Sequence, residues 1–273
     1  MRKEIKVIDK ELKLTAAEFR TLFERPEYES AKTSMFVSAE EEELINAFLK
    51  NCDPFVILFN RLMDRHETVI TEWLLVKHAE AMFEEQAIKS NFSLTAKRRK
   101  YLRWRVESAY KGFVTELYAM TLLSENVPDI LISTNATADL KEGVDFMVSF
   151  LETNMTYRYH ATSHEGLKRL NYKENKVPGR YFGKDPNISY NNKEDDEHSY
   201  LINGFPFFKD QYLLKCLEEM IDDKSKGFWT DDSNFLDRCT KHGGVWETLK
   251  SNDVDHSLEE AIERIKNFLS ETD

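Results

Sequence analysis

The sequence predicts an α/β or α+β protein in which a mainly helical N-terminal region precedes a small strand-bearing core with flanking helices. Three observations predict it. Apolar residues recur at three- and four-residue steps along most of about the first hundred positions. From residue 128 the pattern changes to short β-branched and aromatic runs separated by turn formers. A helical pattern returns after residue 208.

Taken in order, LTAAEFRTLFE is a short helix candidate and RPEYESAKTS a polar connection. In SAEEEELINAFLK, Ser38 and Glu41 have the spacing of a capping box, so a helix should begin near Ala39. DPFVILFNRLMDR offers Asp53 as a cap and Pro54 at the first helical position, with Phe55 to Phe59 buried on most sides. Residues 67–84 place Val69, Trp73, Val76 and Phe83 on one face, which predicts a core helix. A long helix is expected from about Lys97 to Leu123, basic at its start and apolar at its end.

PDILIST, VDFMVSFL and MTYRYHATS read as strands, the last two as a hairpin or as neighbours. Residues 166–199 read as a long charged loop or an excursion with short strands. YLINGFPFF reads as a strand and turn before a helix in KDQYLLKCLEEMIDDK, and Ser257 with Glu260 caps a final helix. The expected organisation is a helical region over 1–105, a core over 106–215 and a C-terminal helical region over 216–273 packed on the core.

Bulk properties narrow the function. A length of 273 residues buries a core without staples, and Cys52, Cys216 and Cys239 are too far apart and too few for a disulfide framework or a zinc knuckle. No apolar run reaches the roughly 18 residues of a membrane span, and the first residues lack a secretory signal, so a soluble cytoplasmic protein is expected. A formal net charge of −11 argues against general coating of nucleic acid. It leaves room for a local basic groove and for carboxylates that hold divalent ions.

The informative stretch runs from Gly112 to Glu165. Glu116 lies among Gly112, Phe113, Ala119 and Met120 on a close-packed helix face, where a carboxylate needs a cationic partner, water or a metal. Strand alternation puts Asp145 with Met147 and Ser149, and Arg158, His160 and Thr162 on one side of the next strand. If those polar sides meet, Glu116, Asp145 and His160 converge. Carboxylates of this kind suit Mg²⁺, a hard cation that activates water and neutralises phosphate in phosphodiester displacement.

The helix Glu in GFVTELYAMTLL, the Asp in EGVDF and the strand YRYHATS together resemble the PD-(D/E)XK restriction-endonuclease-like superfamily. The resemblance covers about residues 106–165 and implies a mixed-sheet core flanked by helices. It further implies Glu116 as an auxiliary Mg²⁺ ligand and Asp145 as the principal one. The last part of the family pattern, an acidic or amide residue, one residue, then lysine, is not matched by Arg158–His160 or by Tyr159–Ala161. His160 would stand in a variant catalytic position, or Arg158 or Lys168 would bring the charge. The implied function is a metal-dependent DNA endonuclease; the alternative is a catalytically inactive DNA-binding or protein-interaction factor on the same core.

Two cationic stretches could contact phosphates. Lys97, Arg98, Arg99, Lys100, Arg103 and Arg105 alternate with Tyr101 and Trp104, and Lys168, Arg169, Lys176 and Arg180 lie in the long loop. A solvated helix start is the simpler reading of the first. Cutting both DNA strands needs two centres, which makes a homodimer an expectation. There is no GxSxG elbow, P-loop or HExxH motif, so acyl hydrolysis, nucleotide binding and zinc proteolysis have little support.

Overall fold

The computed structural model describes residues 14–31, 35–127, 130–133, 145–150, 155–163, 187–222, 228–229 and 245–246. The chain forms two compact units. One comprises Leu22–Val114 and Asn203–Phe205; the other comprises Met1–Thr21, Thr115–Ile202 and Pro206–Asp273. Both the N-terminal helix α1 (Ala16–Phe23) and the long helix α5 (Ala96–Asn126) run across this division.

The helical unit contains a 3₁₀ turn (Pro26–Tyr28), α2 (Ala39–Leu49), α3 (Phe55–His66), α4 (Glu72–Ser90) and the first part of α5. Helix α2 begins where the sequence predicts, with the Ser38 hydroxyl accepting the Glu41 N–H. The box is only half made, because the Glu41 carboxylate accepts from Arg98 Nε at 2.5 Å. Asp53 does not cap α3: Pro54 is the N-cap residue without a side-chain bond, and Asp53 pairs with Arg61 at 3.5 Å. Burial on α3 falls on Leu58, Phe59, Leu62 and Met63, one face rather than most sides.

The helix expected over 67–84 starts later and runs further. Glu67 ends α3 in the left-handed region at φ 55°, and Val69 and Ile70 are buried but not helical. Their carbonyls accept the hydroxyl protons of Tyr28 at 2.7 Å and Tyr110 at 2.5 Å, which satisfies buried backbone outside any ladder. Thr71 then caps α4, its hydroxyl accepting the Leu74 N–H. Trp73, expected in the core, is 61% exposed. Removing the cap in Thr71→Ala should cost about 1 kcal/mol in urea denaturation, with an unchanged m-value.

Aromatic rings fill this unit. Phe59 lies 5.9 Å from Tyr110 and 5.2 Å from Phe113, and Tyr110 lies 5.5 Å from Phe205. Phe205 follows a two-residue Asn203–Gly204 turn with positive φ at both positions (49° and 83°), the conformation for which Asn-Gly is favoured. Gly204 is required twice over: a Cβ there would be strained at that φ and would lie 3.2 Å from Ser30 Cβ.

The second unit carries the sheet. Its strands are β1 (Ile130–Ser133), β2 (Phe146–Phe150), β3 (Met155–Ser163), β4 (Asn187–Tyr190), β7 (Phe228–Trp229) and β8 (Val245–Trp246). They run in the order β4-β3-β2-β1-β8, with β7 also pairing β3. β1, β2 and β3 form an antiparallel meander in which Phe146 faces Tyr159 and Val148 faces Tyr157, so the expected β2–β3 pairing is present. β4 joins β3 in parallel, His160 beside Asn187 and Ser163 beside Tyr190, which makes the sheet mixed. All five residues of β2 are buried, so both faces of the sheet are covered there.

β5 (Ser199–Ile202) and β6 (Phe205–Phe208) form a separate two-stranded hairpin, followed by α6 (Asp210–Asp222). YLINGFPFF is therefore two strands where one was expected; the Asn-Gly pair within it is the signal. Phe207 packs its ring 4.8 Å from Tyr118 and 6.0 Å from Phe19. Tyr118 donates to Asp210 Oδ1 at 3.1 Å at the start of α6. The expected final helix after Ser257 and most of the 166–199 loop lie outside the described residues. Among those described, no helix is long and apolar enough to cross a membrane.

Candidate functional site

Asp145 stands just before β2. Its N–H donates to the carbonyl of Tyr159 at 2.9 Å, although the ladder also pairs Tyr159 with Phe146. Two successive residues thus oppose one, the count of a β-bulge, a device that re-aims a side chain at the end of a ladder. The Asp145 carboxylate then accepts the Ala161 N–H through Oδ2 at 2.5 Å. It occupies the place where a backbone carbonyl would continue the sheet, so its orientation is fixed by β3.

Glu116 lies on α5 and is half-buried, beside the fully buried Thr115 and among residues of mixed burial. Thr115 holds its turn of the helix by donating to Pro206 O at 2.9 Å. Tyr190 is buried at the end of β4. Burial is the main cause that raises the pKa of its hydroxyl, and the charges of Glu116 and then Asp145 raise it further.

His160 does not share that surroundings by strand geometry. Registered partners in a parallel pair project to one face, and successive residues alternate. Tyr190 accordingly sides with Ser163, and with Ala161 and Tyr159 before it, whereas His160, Thr162 and Arg158 share the other face. His160 is buried and Arg158 half-buried. Strict alternation would have carried Asp145 to the His160 side; the bulge breaks the count.

A polar group at the edge strand has no counterpart among the sequence expectations. Ser189 Oγ lies 3.0 Å from His198 Nδ1, and Tyr212 accepts the Ser189 N–H at 3.1 Å. The His198 ring stacks on Tyr212 at 4.2 Å, and His198 Nε2 lies 3.4 Å from Glu197. Cys216 completes the group through Tyr212, with its thiol pushed up to about 11, mainly by burial, which keeps it unreactive. These contacts fasten α6 to β4 beside Tyr190. A serine, histidine and tyrosine spread over residues 189–212 carry no local motif that would announce them.

Three of the six cations in the first stretch pair with carboxylates. Arg98 is held by Glu41 and lies 4.7 Å over the Phe92 ring. Arg99 pairs with Glu84, and Arg103 with Glu107 at 2.9 Å. Arg105 donates to Asn46 at 3.1 Å, and Lys100 is exposed. Lys168, Arg169, Lys176 and Arg180 lie outside the described residues.

No family model, curated protein or solved structure matches the chain. What stands is a mixed sheet flanked by helices, a general architecture that nucleases share with many other proteins. Among the described residues no group of three or more His, Cys, Asp or Glu is placed to hold a metal ion.

Proposed function

We propose that the protein is a Mg²⁺-dependent endonuclease acting on DNA, with Glu116 and Asp145 as the metal-holding carboxylates. What supports this reading is the Asp145 carboxylate held by the Ala161 N–H at 2.5 Å at the entry to the sheet, with a second carboxylate, Glu116, half-buried on α5. Two hard oxygen donors in a partly buried neighbourhood fit Mg²⁺. When bound, the cation would supply water activation and neutralisation of phosphate charge.

The chain's own contribution is orientation. The Ala161 N–H fixes the Asp145 carboxylate, and Thr115 anchors the turn of α5 that presents Glu116. Two residues of one strand and one helix hold such a site more tightly than loops would. His160, on the other face of β3, would act by supporting the strand rather than by meeting the same phosphate.

A second reading is favoured by one observation. On the strand face that Tyr190 shares, β3 offers Tyr159, Ala161 and Ser163, none of which carries charge. A protein of this kind would bind DNA or a protein partner without cutting. Supercoiled plasmid with Mg²⁺ or Mn²⁺, with and without EDTA, separates the two. Metal-dependent nicking supports the nuclease; a gel shift that EDTA leaves unchanged, without cutting, selects the binder. A monomeric mass in solution would count against the homodimer that paired cuts require.

A further inference from the structure

The helical unit holds a second site that owes nothing to the sheet. A cavity of about 420 Å³ is lined by Glu27, Glu29, Ser30, Ala31, Glu72, Trp73, Val76 and Arg103. Glu72, at the first turn of α4, is only 7% exposed. Its Oε1 accepts the Ala31 N–H at 3.1 Å, while its Oε2 is buried with no hydrogen-bond partner. A buried carboxylate oxygen left unpaired is costly, so its retention asks for a donor.

The other charges do not provide one. Arg103, the cation of the lining, is engaged by Glu107 at 2.9 Å and approaches Glu80 at 3.9 Å. Lys111 faces Glu72 from α5 without a bond to Oε2. Three carboxylates thus stand in the lining against one guanidinium that is already paired. Trp73 adds an exposed indole, a surface that attracts cations through its ring face.

We propose that this cavity binds an organic cation through a primary ammonium head group, with Glu72 as its counter-ion and Trp73 against its stem. The cavity has the size of an ordinary small-ligand pocket. Glu72 lines the cavity, and the last torsion of a glutamate has no sharp preferred value, so its carboxylate can turn to meet a ligand there. The head group of a free amine and that of a lysine side chain present the same chemistry. Burial, the largest cause, raises the Glu72 carboxyl to about 7; Glu107 also raises it, and the Ala31 N–H, Lys111 and Arg103 lower it. Glu27 and Glu29 flank it from the 3₁₀ turn, and Tyr110 lies near it on α5. A bound cation would favour the ionised form, so binding near neutral pH should release protons.

The test is calorimetric titration of the full chain, wild type and Glu72→Gln, with butylamine and separately with Nα-acetyl-lysine methylamide. The expected result is saturable binding by wild type that weakens roughly tenfold or more in the variant, the loss of one charge-assisted bond. Binding of both probes assigns the site to amines in general; binding of the lysine probe alone assigns it to a peptide side chain. Heats that vary with the ionisation enthalpy of the buffer report the proton release in wild type, independently of whether the variant folds. Absence of binding by both probes, equal affinity in a folded Glu72→Gln, or binding without proton release near neutral pH overturns the proposal.

Discussion

Asp145→Asn is expected to lower metal-dependent DNA cleavage roughly a hundred- to a thousandfold, the scale seen when one group that stabilises a transition state is removed. The strands should stay paired, because the amide oxygen of Asn can still accept the Ala161 N–H. Asp145→Ala loses both roles. It should match the cleavage defect and also cost about 1–2 kcal/mol, since the acceptor that closes the end of the β2–β3 ladder disappears. Plasmid nicking and urea denaturation of the two variants together separate chemistry from architecture. An Asn variant that cuts at the wild-type rate would leave Asp145 as a ladder cap and remove it from the proposed metal site.

The ladder bond of Asp145 shows where sequence reading stops. Local chemistry was legible: Ser38 caps α2, the β2 and β3 runs pair as neighbours, and α5 follows its apolar pattern. Signals that compete within a few residues were not. Val69, Trp73 and Val76 have helical spacing, yet Thr71 offers a cap and the Tyr28 and Tyr110 hydroxyls take up the carbonyls before it, so α4 starts after Ile70 and Trp73 turns outward. Asp53 has the chemistry of a cap but finds Arg61, an alternative that only the folded helix presents.

The surroundings of Asp145 were not legible for the same reason. Alternation counts residues and cannot see a bulge, so it sends Asp145 to the His160 side of the sheet, while the Tyr159 carbonyl, shared by two residues, breaks the count. Tyr190 was not singled out because its place comes from a parallel pairing between β3 and β4, a long-range contact made from a charged stretch that the sequence leaves open between a loop and short strands. The cavity at Glu72 was equally hidden. Its lining comes from the 3₁₀ turn and the residues after it, from α4 and from α5, and an acidic residue at a helix start has an ordinary local explanation in the helix dipole.

Glu72 also sets the second large effect, a pH-dependent stability that a single substitution should abolish. Its carboxyl is raised from 4.5 to about 7, chiefly by burial, so the folded chain holds this proton more tightly than the unfolded chain does. Between those two values the folded state binds more protons, and stability must fall as pH rises, with the loss complete above the folded value. At ~1.4 kcal/mol for each pH unit the full penalty is roughly 3 kcal/mol. Lys111 carries the opposite sign at the alkaline end: burial lowers its pKa, so its penalty is relieved as pH rises through that value towards its unfolded one. Glu72→Gln keeps an acceptor for the Ala31 N–H and removes the ionisation. The variant should therefore match wild type at acid pH and exceed it by roughly 2–3 kcal/mol above neutrality, before any relaxation around Lys111. Urea midpoints of the pair across this range decide it through their difference, in which the other carboxylates cancel. A difference that does not change with pH would mean that Glu72 is solvated in the folded chain, and the buried acceptor beneath the cavity would lose its physical basis.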